Sequence, residues 1–182
     1  MKRIETFILA MLWVLNSNAH EFSTHWISYP TPNDSSEVLF CHVFPSQGKH
    51  KQGSISFASC GRIKVFVNER NISPKAYFCN PDSATVFIYT YDITRFLQPH
   101  KNTIAVWYAP ESGREPSKQL SMEYYGYDAK GKYFYHKANG DWKCCILKGC
   151  YVKKEIEAFD ECSYDNQWKS PDFDRSKWLN PL

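Results

Sequence analysis

Histidine and cysteine are the residue types best suited to hold a metal, and the sequence offers one arrangement of each. Cleavage behind Ala19 makes His20 the first residue, and an N-terminal histidine chelates copper through its amine and imidazole, with His25, His42 or His136 as a second imidazole. An initial histidine also arises easily by chance, so copper ranks behind the readings that follow. Cys144, Cys145 and Cys150 form the other group. It contains neither a Cys-x-x-Cys pair nor a histidine at zinc-ligand spacing, so no metal and no other cofactor is expected. Asp92 is the conspicuous carboxylate, but hydrolysis of a sugar needs a second acid about 5 to 9.5 Å away, and nothing in the sequence selects one. Asp92 reads instead as a turn residue that accepts backbone N–H bonds, with Thr94 helping more weakly. Phe, Trp and Tyr make up 16% of the chain, enough to stack against the apolar face of a pyranose. Trp26 and Trp107 sit in strand patterns and are expected in the core. Tyr77 and Tyr108, read as loop aromatics, are the candidate carbohydrate-binding residues, with Glu111 and Arg114 of the Pro110 to Ser117 loop beside them.

The elements that must position these residues are strands. In "SEVLFCHVF" Val38, Phe40, His42 and Phe44 share one face while Leu39, Cys41 and Val43 share the other, as in a strand covered on both sides. "RIKVFVN" turns Ile63, Val65 and Val67 inward, and "TVFIYTY" and "NTIAVWY" repeat the alternation, so Val65, Phe87, Ile104 and Val106 are expected to be buried. Turn residues separate these runs at 45–48, 68–71, 80–83, 99–102, 128–131 and 139–140. No long stretch has a helical period. The fold class expected is all-β, an antiparallel β-sandwich or jelly roll over residues 20–149.

The order of several short motifs resembles the galactose-binding-like β-sandwich at the N-terminal side of bacterial α-L-rhamnosidases. They are Ala58-Ser59-Cys60, Gly61-Arg62 ahead of Ile63 to Val67, the hairpin Asn68, Tyr91-Asp92-Ile93-Thr94, and Asn102 ahead of Ile104-Ala105-Val106. Glu155, Phe159-Asp160, Trp168, Pro171, Phe173-Asp174, Ser176 and Trp178 look like the join from that sandwich to a following β-domain. The resemblance departs at Glu69 and at His100-Lys101, where the family carries glycine, so both turns are expected to be built differently. It implies a galactose-binding-like accessory domain with no hydrolytic activity of its own, because the family's catalytic carboxylates lie in a helical barrel. Its implied partner is a carbohydrate, a plant or host glycan, with rhamnose-containing ones among the candidates. The alternative is a scaffold remnant that binds no ligand.

The whole chain sets the remaining bounds. At 182 residues it has room for one sizeable core. Lys and Arg number 22 against 19 Asp and Glu, with no basic run, which argues against nucleic acid. Lys2-Arg3, the apolar stretch Phe7 to Leu15 and the small residues before Ala19 read as a signal peptide over residues 1–19, hence a secreted or periplasmic protein with no membrane span. Seven cysteines cannot all pair within one chain, and Cys41, Cys60 and Cys79 sit in or beside strand patterns as small core residues. Residues 150–182 are more polar. They read as an extension that either docks Trp168 and Trp178 on the sandwich or offers them to a protein partner.

Overall fold

The computed structural model describes residues 21–33, 35–73, 87–147 and 166–182. Its strands are β1 (Trp26–Ile27), β2 (Val38–Pro45), β3 (Gln52–Ala58), β4 (Arg62–Val67), β5 (Arg70–Asn71), β6 (Tyr89–Asp92), β7 (Lys101–Ala109), β8 (Leu120–Tyr127), β9 (Tyr133–Lys137) and β10 (Lys143–Ile146). They form two antiparallel sheets. In the first the order is β1-β8-β3-β6, with β9 also on β8, and in the second it is β10-β2-β7-β4-β5. The alternation of the sequence explains the packing: one parity of each strand meets the facing sheet and the other looks out. Ile55, Phe57, Leu120, Met122 and Tyr124 of the first sheet close on Val38, Phe40, Ile63, Val65, Ile104 and Val106 of the second. All eleven are buried.

His42 joins that core. Its ring stacks on Trp142 at 5.6 Å, and its Nδ1 lies 3.1 Å from the Tyr124 hydroxyl. His136 stacks on the other part of the same tyrosine at 4.7 Å. Burial first, then the neighbouring His136, lowers the His42 pKa to about 4. The imidazole is therefore a neutral packing group.

Phe87 departs from expectation. It is 43% exposed, because β6 begins only at Tyr89, and Tyr89 and Tyr91 take the inward positions that the same parity assigned to it.

The segment from Tyr91 to Asn102 is held by its own polar groups. Asp92 accepts from the Thr94 amide at 2.8 Å and from its hydroxyl, and those two bonds hold its carboxyl below the usual range. Thr94 Oγ1 in turn accepts from Gly53 N at 2.9 Å, tying the turn to β3, while Leu97 is buried at the end of the core. Asn102 is fully buried and braces the turn that carries His100-Lys101 in place of glycine. Its Oδ1 accepts from Gln98 N and Asn68 Nδ2, both at 2.7 Å, and its Nδ2 donates to Gln98 O. The other departure from the family pattern is the turn at Glu69. Asn68 and Glu69 form a two-residue hairpin loop between Val67 and Arg70 with φ of 47° and 69°, so Glu69 adopts the left-handed conformation that glycine ordinarily supplies.

The outer face of the second sheet has its own apolar layer. Leu39, Cys41, Phe66, Ala105 and Trp107 pack beneath Leu147, Trp168 and Trp178. The C-terminal segment is pinned across this face. Cys144 and Leu179 exchange two backbone bonds, Ser28 and Leu182 exchange two more, and the Arg175 guanidinium donates to the carbonyls of Trp168, Ser170 and Phe173. Trp168 and Trp178 are thus inside the molecule rather than offered to a partner. Cys41 lies in this layer, and burial pushes its thiol up to about 12. Cys60 is half-buried just beyond β3, and Cys79, Cys150 and Cys162 lie outside the described residues. Cys144 and Cys145 are adjacent on β10, one packed in the sandwich core and the other against the outer layer, so one metal ion cannot take both.

Candidate functional site

The outer face of the first sheet is built differently from that of the second. β8 pairs with β9 in the register Glu123↔Lys137, Tyr125↔Tyr135 and Tyr127↔Tyr133, which places four tyrosines and a carboxylate on the outward parity. β3 continues the surface on the far side of β8, pairing Gln52 with Tyr127, Ser54 with Tyr125 and Ser56 with Glu123. Tyr127, Tyr133 and Tyr135 are 44%, 48% and 38% exposed, large values for aromatic residues within regular strands. Strands hold them firmly, since β8 is paired on both sides. A hairpin turn joins the two tyrosine strands, where Asp128 Oδ1 accepts from the amides of Lys130 and Lys132 at 2.9 and 2.8 Å.

Hydrogen bonds fix the polar ends of Tyr125 and Tyr135. Glu123 is only 1% exposed although it points outward, because Ser23 and Tyr135 cover it. Its Oε1 accepts from Ser23 N at 2.8 Å and from the Tyr135 hydroxyl at 2.7 Å. The Tyr125 hydroxyl lies 3.2 Å from Ser56 Oγ, which lies 2.8 Å from Thr90 Oγ1. Tyr127 and Tyr133 meet edge to face at 5.6 Å. Burial, and then the neighbouring tyrosines, raise the Tyr133 pKa, so its phenol stays neutral and can both donate and accept. Such a surface presents ring faces for an apolar ligand patch and a row of hydroxyls for a polar rim. The reactive parts of a hydrolytic site are not assembled here: the Glu123 carboxylate is occupied and covered.

The structure separates the residues that the sequence nominated. Tyr108 does not belong to a loop. β7 runs on to Ala109, and Tyr108 shares inward parity with Ile104 and Val106, so it is 1% exposed and burial pushes its phenol pKa up. It faces the core and cannot stack on a ligand. Glu111 and Arg114 lie in the loop after β7, partly exposed, with Arg114 N donating to Glu111 O at 3.2 Å. That loop lies at the end of the sandwich where β8 begins, whereas Tyr127 and Tyr133 lie where β8 ends. Tyr77 and His20 fall outside the described residues. Sequence reasoning missed Tyr125, Tyr127, Tyr133 and Tyr135. Their signal was the spacing of two tyrosines, two residues apart, on each side of the 128–131 turn.

No protein-family model matches the chain, and no curated protein matches it. Solved structures do. The α-L-rhamnosidase from Dictyoglumus thermophilum superposes with a TM-score of 0.65 at 17% identity, over 89% of this chain and 20% of the enzyme. The Streptomyces avermitilis α-L-rhamnosidase, solved with L-rhamnose, gives 0.62 at 14% identity, over 86% of this chain and 14% of that one. The Pleurotus ostreatus lectin, solved with GalNAc, gives 0.58 at 13% identity, over 86% of this chain and 42% of the lectin. The chain therefore spans only a small part of these rhamnosidases and less than half of the lectin. At these identities the likeness is one of fold: this is an antiparallel β-sandwich of the kind found within α-L-rhamnosidases and in a sugar-binding lectin.

Proposed function

We propose that the protein is an exported, non-catalytic carbohydrate-binding domain, related to the accessory sandwich on the N-terminal side of rhamnosidase-type enzymes, and that the outer tyrosine face of the first sheet is its binding surface. The observation that carries this reading is the set Tyr125, Tyr127, Tyr133 and Tyr135 on one face, three of them well exposed and two with hydroxyls fixed by neighbours. A pyranose has an apolar face that lies on an aromatic ring and equatorial hydroxyls that reach the phenols beside it. Rigid tyrosines provide such contacts at low entropic cost. The lectin-like fold supports the same reading. Glu111 and Arg114 play no part in this face, since they lie at the other end of the sandwich. The expected affinity is in the micromolar to millimolar range, about 4 to 8 kcal/mol, as suits a shallow surface.

A glycan array probed with the mature protein, followed by calorimetric titration of the strongest binder against the wild type and Tyr133→Ala, tests the proposal. Binding that falls about tenfold in the variant while its melting temperature is retained supports it. Binding that is indifferent to Tyr133 places the site elsewhere, and an array with no binder favours a scaffold that handles no sugar. Aryl α-L-rhamnosides are expected to remain intact, and turnover that survives purification overturns the non-catalytic part of the reading.

A further inference from the structure

A groove of about 630 Å³ opens at the end of the sandwich, lined by Asn68, Arg70, Arg95, Phe96, Leu97 and Gln98. Its lining contains two guanidinium groups and no carboxylate. Arg95 is exposed and lies over the Phe96 ring at 4.6 Å, a contact that restricts its swing. Arg70 begins β5, directly after the left-handed Asn68-Glu69 turn, and is exposed. The floor is rigid. Asn68 Nδ2 donates to Phe96 O at 2.8 Å and to Asn102, while its Oδ1 accepts from Thr103 N at 2.9 Å. Asp92 on the same loop accepts from Thr94 and its carboxyl also feels the Arg95 charge, while Glu69 sits exposed on the turn between Asn68 and Arg70.

We infer that this groove receives the carboxylate of an acidic saccharide, a uronic acid residue of a glycan. A planar carboxylate matches the two-pronged N–H edge of an arginine, and the Phe96 ring beneath Arg95 holds that guanidinium in place. The inference rests on the carbohydrate-binding reading above for the class of ligand, but uses different residues. The groove lies at the end of the sheets where β8 finishes and β3 starts, the end that carries Tyr127 and Tyr133.

The test is titration of the mature protein with trigalacturonic acid and with its methyl ester, which keeps the rings and removes the charge. Binding of the acid is expected, with at least roughly tenfold weaker binding of the ester and of the acid to Arg95→Gln or Arg70→Gln. Raising the salt from about 20 to about 200 mM should weaken the acid further, and Glu69→Gln, which removes the rim carboxylate, should strengthen it about two- to threefold. Melting temperatures confirm that these surface variants are folded. The Tyr133→Ala variant separates the two proposals: it is expected to lose the neutral glycan and to keep the uronate. Equal affinity for acid and ester, no binding of the acid, or indifference to both arginine substitutions overturns the inference, and none of these outcomes touches the tyrosine face.

Discussion

Replacing His42 by glutamine should remove most of a specific acid sensitivity from the fold. His42 is wedged among Phe44, Tyr124 and Trp142, and burial lowers its pKa from 6.5 to about 4. A histidine with a depressed folded-state pKa leaves stability untouched above the unfolded value. As the pH falls below 6.5 the unfolded chain takes up the proton and the fold refuses it, so stability drops, until the loss levels off near the folded value of about 4. At about 1.4 kcal/mol per pH unit the gap amounts to roughly 3 kcal/mol at the acid limit, and to about 2 kcal/mol near pH 5. Glutamine can still bond the Tyr124 hydroxyl but does not titrate. Urea unfolding of wild type and His42→Gln at about pH 7.5, 5.5 and 4.5 measures the difference directly. Glu37, whose pKa burial raises, is common to both proteins and cancels in that comparison, whereas the repulsion between His42 and His136 is part of the difference measured. Asp92 and Asp128, whose carboxyls are held low by hydrogen bonds, contribute only below this window. The wild type should lose stability towards low pH more steeply than the variant. Parallel pH profiles would refute the reasoning, because they would mean that His42 accepts its proton inside the fold.

Three further outcomes follow from the geometry. Asn102→Ala takes one acceptor from Asn68 Nδ2, which keeps Phe96 O, and the acceptor of the part-buried Gln98 N–H, and should lower stability by about 1 to 3 kcal/mol in urea unfolding. Gly61→Ala places a methyl group 2.5 Å from Ala109 O and against the Tyr108 ring, and should cost about 2 kcal/mol in the same assay. Glu69→Gly should do the opposite and raise stability by about 1 kcal/mol, since it relieves a left-handed non-glycine residue; a variant less stable than wild type would show that the Glu69 side chain holds the turn.

The parts of the fold that were legible in the sequence are those fixed by parity. Val38, Phe40, Ile63, Val65, Ile104 and Val106 alternate within strands that are paired along their whole length, so the pattern had one solution. Asp92 was legible for a related reason: an Asp-x-Thr turn satisfies itself locally, whatever lies around it. Strand ends were less legible. Phe87 has the parity of Tyr89 but lies before the pairing begins, and Tyr108 has a loop-like proline two residues on but lies before the pairing ends. Alternation names a face and says nothing about where the ladder stops. The same ambiguity hid the candidate site. Tyr125 and Tyr127 on β8, Tyr133 and Tyr135 on β9, become one surface only through a register that the hairpin sets. Trp168 and Trp178 were legible as apolar residues in need of cover, but the sequence did not show that the cover is the chain's own second sheet.

The most direct test of the central claim is the response of backbone amide resonances to a glycan. With the strongest glycan-array binder added to the millimolar range, saturable shifts are expected to cluster at Tyr125, Tyr127, Tyr133, Tyr135 and their neighbour Ser56, and to be lost in Tyr133→Ala. No shifts with that binder, or shifts confined to the loop that carries Glu111 and Arg114, would contradict the tyrosine face as the binding surface.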